Sequence, residues 1–234
     1  MGPDINRLQK TYQQRTQRKA ADNRYSVFDP AFFFSRVQRQ RAVLKMLSHH
    51  GMTRLADLRI LEVGCGNGSV MQELSTLGAK QRNMVGVDLL RERLVRASGR
   101  LARSKLICSD GGLLPFCDGG FVLVLQFTAL SSILDARARR AAACEMLRVL
   151  APGGLILWYD FLWNPGNHET HGIGKQEIRD SFPGCSFTFT RMTLAPPIAR
   201  RVVPVSWLLG MALESLRVFN SHYLVGIRKS LQTG

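Results

Sequence analysis

No apolar run in this chain of 234 residues approaches the roughly 18 that a membrane-crossing helix needs. Residues 1–19, MGPDINRLQKTYQQRTQRK, lack the apolar middle of a secretory signal, so a cytoplasmic protein is expected. Cysteine is scarce: five residues (65, 108, 117, 144 and 185), widely spaced and odd in number, without a CxxC pair. A zinc site or redox dithiol is therefore not expected, and the cysteines read as small side chains in a reducing compartment. Acidic residues are few, 17 against 32 basic ones, giving a net charge of +15. Such a balance suits RNA, an anionic membrane surface or an acidic substrate, yet a solvated basic surface also produces it. The basic residues are spread along the chain, with ten in 1–48 and six in 91–105. There is no internal repeat, no low-complexity tract and no sign of a second domain.

What is present is a regular alternation. After a polar, basic stretch over 1–24, "PAFFFSRVQRQRAVLKML" (30–47) has apolar residues at helical spacing, with Pro30 suited to a first turn. Tyr25, Phe28, Phe32, Phe33 and Phe34 gather at its start, and the phenylalanines read as a helix packing onto a sheet. Buried strands are expected at "RILEV" (59–63), "NMVGVD" (83–88), "SKLICSD" (104–110), "FVLVLQF" (121–127) and "GLILWYD" (154–160). Helices are expected between them at 69–78, 91–103 and 137–150, the last ended by "APGG". Strands separated by helices make βαβ units and a parallel sheet, and near-continuous apolar strands imply cover on both faces. "GCSFTFTRMTL" (184–194) and "SHYLVGIRK" (221–229) lack such a crossover and predict an antiparallel pair at the sheet edge. The fold class is α/β, a doubly wound and mostly parallel seven-stranded sheet.

"ILEVGCGNGS" (60–69) falls at the first strand-to-helix turn, and ligands of such sheets bind beyond the strands' carboxyl ends. Gly64 and Gly66 permit a tight turn free of Cβ atoms, and Gly68 lets the following helix pack close. A dinucleotide fingerprint needs G-x-G-x-x-G, but here the third glycine comes one residue early and Glu62 precedes the first. A carboxylate there repels a pyrophosphate and suits a cationic amino group, as in S-adenosylmethionine. Asp88 ends the second strand, where an acid can accept from ribose hydroxyls. Asp110 ends the third, where it serves equally as an adenine ligand or a loop cap.

With these signals in order, the chain resembles the class I S-adenosylmethionine-dependent methyltransferases, in their small-molecule, type 11-like branch. The resemblance rests on "ILEVGCGNGS", "MVGVDLL", "LICSDGGLLPFCDGGFVLVLQF" and "EMLRVLAPGGLILWYD", and departs from the family at Phe121-Val122, where Phe-Asp is common. It implies that Glu62, Gly64, Cys65, Gly66 and Gly68 line the methionine end of the cofactor. Asp88 and Leu89 would hold ribose and adenine, Asp110 and Gly111 the adenine, and Gln126 would sit under the sulfonium. It divides a single domain, 1–234, into a helical lead-in or lid (1–50), a cofactor-binding core (51–160) and substrate-side loops with the final strands (161–234).

Methyl transfer from a sulfonium mainly needs two reactants held in line and requires no obligatory base. If a base acts, Asp160, His168 and His171 are the candidates by position, against the alternative that they are polar loop residues. His49 and His50 read as partners of a helix dipole, and His222 as structural. Residues 195–219 exceed the turn a common core needs, and Pro196, Pro197 and Pro204 forbid one continuous helix there. From Trp207 onward the segment is mostly apolar, with Arg200, Arg201 and Arg217 beside it. Three roles are open to it: a cap over an apolar acceptor, which is preferred; contact with an anionic membrane surface; or a dimer contact. The expected function is methyl transfer to a small-molecule acceptor, such as a hydroxyl of a sugar, a lipid-linked group or another secondary metabolite. An RNA methyltransferase is the rival, but the fourth strand ends Gln126-Phe127-Thr128-Ala129 and lacks the base-gripping Pro-Pro-aromatic pattern, so specific nucleic-acid binding is not expected. A cofactor-binding protein without catalysis also stays open, as do monomer and homodimer.

Overall fold

The computed structural model describes residues 26–164 and 169–229. The expectations for residues 1–24, Tyr25 and His168 lie outside them. The first helix, α1 (Pro30–His49), starts where Asp29 accepts a hydrogen bond from the Phe32 N–H at 2.7 Å, with Pro30 in its first turn. Strand β1 (Ile60–Val63) leads through the glycine turn into α2 (Ser69–Thr76). Next come β2 (Met84–Asp88), α3 (Arg91–Ser98), β3 (Lys105–Cys108) and β4 (Phe121–Phe127). Then follow α4 (Ala136–Val149), β5 (Leu150–Phe161), α5 (Lys175–Ser181) and β6 (Cys185–Leu194). The described residues finish with α6 (Pro196–Val202), α7 (Trp207–Ser215) and β7 (Asn220–Lys229).

These seven strands form one sheet in the order β3-β2-β1-β4-β5-β7-β6, with β1 to β5 parallel. The order reverses between β1 and β4, which opens a crevice at their carboxyl ends. β7 runs antiparallel to both β5 and β6, so the antiparallel strand lies one place in from the edge. One face of the sheet, with Ile60, Leu125, Leu157 and Leu224, is covered by α1, α2 and α3 through Leu47, Met71 and Leu94. The other, with Leu61, Val124, Ile156 and Val225, is covered by α4 and α5 through Met146 and Ile178. Burial on both faces is why the inner strands are almost wholly apolar.

Three local expectations change, and one helix is new. The helix expected over 91–103 stops at Ser98, with Gly99 as its cap. "APGG" does not separate α4 from β5 but lies inside the strand as an irregularity, with Gly153 at φ 71° and the β4 pairing shifted between Phe121 and Leu123. Helix α5 had no reading from sequence. The phenylalanines at the start of α1 do not pack on the sheet as a group: Phe34 is fully buried in a separate cluster with Leu194, Ala199 and Val203, Phe33 is half exposed, and Phe28 is exposed.

Candidate active site at the carboxyl ends of the strands

Glycine lets the chain turn sharply after β1: Gly64 and Gly66 have φ of 75° and 55°, where a Cβ is strained. The space each leaves is used by the protein itself. A Cβ on Gly64 would strike Ala129, which follows β4, and one on Gly66 would strike the Arg93 guanidinium. Gly68 leaves room for Leu101 and Ala97, so it brings the α3 region, and not only the following helix, close to the turn. Cys65 turns its thiol inward against Gly86, where burial pushes its pKa up, and only its backbone belongs to the turn.

Glu62 is buried beneath this turn, on the sheet face covered by α1 and α2. Its carboxyl accepts from the Met71 N–H in the first turn of α2, while Oε2 has no partner among the described residues. Burial pushes its pKa up to about 8, and the nearby Arg39 guanidinium works in the opposite direction. Arg39, from α1, is held by both oxygens of Glu73 at 2.9 and 3.0 Å. It lies over the rings of Phe127 and Tyr159, at 6.0 and 5.7 Å from their centres. Neither Arg39 nor Glu73 was singled out from sequence, since a pair 34 positions apart has no local signature.

Asp88, buried at the end of β2, accepts from the Gly66 N–H at 2.8 Å through Oδ2 and from the Leu90 N–H at 2.9 Å through Oδ1. Arg93 Nη1 stands 3.4 Å from the same Oδ2. Leu89 is half-buried beside it. Asp110 is exposed and its Oδ1 accepts from the Gly112 N–H at 2.9 Å, the loop-cap role weighed above. Gly111 backs onto Val63, which brings this loop beside the end of β1. Glu62, Asp88 and the 110–111 loop thus gather around one glycine turn.

Gln126 and Asp160 face the opposite side of the sheet and close on each other. Gln126 is fully buried and its Nε2 donates to Asp160 Oδ2 at 2.6 Å. Asp160 also accepts from the Ser131 N–H at 3.0 Å and the Phe161 N–H at 2.8 Å. With its oxygens so occupied and its side chain buried, Asp160 is a brace for the β4 exit loop and not an accessible base. The Gln126 amide likewise meets protein rather than open space. His171 is exposed, its Nε2 3.1 Å from Glu177 Oε2. Thr128, just past β4, has φ 54° and donates its N–H to the Tyr159 carbonyl at 2.7 Å. A non-glycine residue in that conformation is strained, and such strain collects at functional sites.

His50 packs its ring against Gly226, where burial and Arg228 lower its pKa, which works against a cationic role at the end of α1. His222 stacks on Tyr159 at 4.8 Å and 5°, and burial pushes its pKa down to about 3. In the 195–219 segment Trp207 meets Phe34 edge-on at 4.9 Å, and Leu208 on the far side is 77% exposed.

Residues 60–154 match the family described as a methyltransferase domain. By this match residues 60–154 are similar to a methyltransferase domain, and the sheet order is that of a Rossmann-like fold. It is 29% identical over 136 residues to the sterol 4-C-methyltransferase strm-1 of Caenorhabditis elegans, covering 53% of this chain and 38% of that one. It is 29% identical over 119 residues to the probable tRNA methyltransferase 9B of Homo sapiens, covering 51% and 24%. The matched stretch therefore spans less than half of these relatives. Among solved structures it resembles CalS10, an amino pentose methyltransferase from Micromonospora echinaspora, with a TM-score of 0.58, 17% identity and coverage of 82% and 90%. At that identity the likeness is one of fold.

Proposed function

We propose that this protein binds S-adenosylmethionine at the glycine turn and transfers its methyl group to a small-molecule acceptor bearing a hydroxyl. The observation that carries the cofactor reading is Glu62: a buried carboxyl with an unpartnered oxygen beside three glycines. An ammonium group is the ligand that such a carboxyl lacks. Glu62 would hold the amino group of the methionine end, the Gly64–Gly68 backbone would lie along it, and Asp88 would take the ribose after Arg93 withdraws. Asp110 and Gly111 would border the adenine. The cofactor supplies an electrophilic methyl on a positive sulfur.

The chain's own task is then to exclude water and align the acceptor. Arg39 and the Phe127 and Tyr159 rings beneath it form a firm wall near Glu62, on the α1 side of the sheet. The Asp160 brace fixes the 128–131 loop, and with it Thr128, at the carboxyl end of β4. No base is assigned, since Asp160 is occupied by its three donors and His171 is paired with Glu177. The sterol and amino pentose named for two of the similar proteins support a small-molecule acceptor; the tRNA named for the third favours the rival.

Calorimetry with S-adenosylhomocysteine, followed by labelled-methyl transfer into a small-molecule extract and into RNA, tests both halves. Binding with label recovered in a small molecule is the expected result. Label recovered in nucleosides replaces the acceptor class, and absence of binding ends the cofactor reading.

A further inference from the structure

Helix α7 is apolar on both sides, yet only one side is packed. Residues 202–213 contain no charged side chain. Trp207, Gly210 and Met211 turn inward onto Phe34 and Val203. Leu208, Leu209, Ala212 and Leu216 occupy the opposite side at helical spacing and are exposed, with Val205 just before them 83% exposed. Phe33, half exposed beside Trp207 at 6.1 Å, and the exposed Val218 and Phe219 extend the apolar surface. A helix that is apolar all round belongs in a core or against lipid, and contiguous exposed patches of this kind mark interaction sites.

The charges beside this surface have one sign. Of the four charged residues in 196–219, Arg200, Arg201 and Arg217 are exposed. The fourth, Glu214, turns inward, where Oε1 accepts from the Thr193 N–H at 2.9 Å. At nine residues α7 is too short to cross a bilayer, and no helix among the described residues is long and apolar enough to do so. An apolar strip between arginines fits a helix lying in the headgroup region, its leucines among acyl chains and its arginines on lipid phosphates. A second copy of the chain fits less well. An isologous pairing would bring two sets of these arginines together on molecules that each carry +15.

We propose that the surface made by Val205, Leu208, Leu209, Ala212 and Leu216, with Arg200, Arg201 and Arg217, docks this protein onto an anionic lipid membrane. The proposal stands apart from the cofactor site, which lies at other strand ends. Its test is co-sedimentation of the full chain with vesicles of phosphatidylcholine alone and of phosphatidylcholine with one-third phosphatidylglycerol, at about 0.1 M salt. Binding to the anionic vesicles is expected, with at least tenfold less to the neutral ones. Leu208→Asp with Leu209→Ser should lower the bound fraction at least tenfold while melting temperature and S-adenosylhomocysteine affinity hold, since both leucines point to solvent. Arg200→Gln with Arg201→Gln should weaken binding several-fold and flatten its salt dependence. Two results overturn the proposal: no binding to anionic vesicles, or binding that the leucine variant retains, which makes it general attraction to a basic protein. A concentration-dependent dimer that the leucine variant abolishes, without vesicle binding, makes the occupant a second copy.

Discussion

Arg93 and Asp88 meet across the glycine turn, Nη1 3.4 Å from Oδ2, with the guanidinium filling the space in front of Gly66. That is the side on which the ribose is proposed to lie, so the arginine and the cofactor compete for one carboxylate. Arg93→Ala is expected to tighten S-adenosylhomocysteine binding about threefold, the scale of a partly exposed ion pair. Asp88→Ala should weaken it by about 1–3 kcal/mol, because Gly66 and Leu90 lose their acceptor as well. Both are read by calorimetry, and weaker binding in the arginine variant would make Arg93 a ligand and not a competitor.

The proposed role of Glu62 ties cofactor affinity to pH. Its pKa is raised from 4.5 to about 8, so the folded chain keeps a proton that the unfolded chain releases. Stability without cofactor therefore falls as pH rises from about 4.5 to 8, by the sign of that proton difference. A bound ammonium needs the carboxylate, so binding should release a proton and tighten about tenfold between pH 6 and 7, levelling off near 8. Titrations in buffers of different ionisation heat measure the proton. Glu62→Gln should bind more weakly and lose the slope, and a flat wild-type profile would leave Glu62 out of the site.

The contact between Gly64 and Ala129 predicts a rescue. Gly64→Ala adds a Cβ that collides with Ala129 at φ 75°, with an expected loss of about 2–3 kcal/mol in denaturant melts. Adding Ala129→Gly removes the collision but not the backbone strain, so it should recover part of the loss. Failure to recover any of it would assign the whole cost to backbone conformation.

Asp160→Asn discriminates a brace from a base. The amide presents an NH2 group to donors that need an acceptor, and stability should fall by about 1–3 kcal/mol. Turnover should drop through displacement of the 128–131 loop while the pH profile of kcat keeps its shape. A profile that loses its acidic limb would restore Asp160 as a base.

The parallel half of the fold was legible because every βαβ unit repeats the same local pattern and the glycine turn stands where that pattern demands it. Glu62 and Asp88 could be named because each ends or follows a run of buried positions. Helix α5 was missed since its seven residues carry little periodicity, with Ile178 alone buried. "APGG" misled because proline and glycine mark turns far more often than a strand irregularity. Arg93 beside Asp88, Arg39 beside Glu73 and Gln126 on Asp160 are fixed by packing between separate elements, which spacing along the chain does not record. The same holds for Leu208: sequence shows an apolar helix, while only the fold shows which side is left uncovered.

The position of β7 governs the order in which the sheet can be completed. Among the described residues β6 pairs only with β7, and β7 reaches β5 by entering between the two. While the ribosome is still short of residue 220, β1 to β5 can align, but β6 has no strand to join and β5 keeps an open side. Closing that side needs contacts between residues 61 to 73 positions apart, from Phe161 with His222 to Leu155 with Arg228. β7 is therefore a keystone among the described strands, and the stacking of His222 on Tyr159 waits for it.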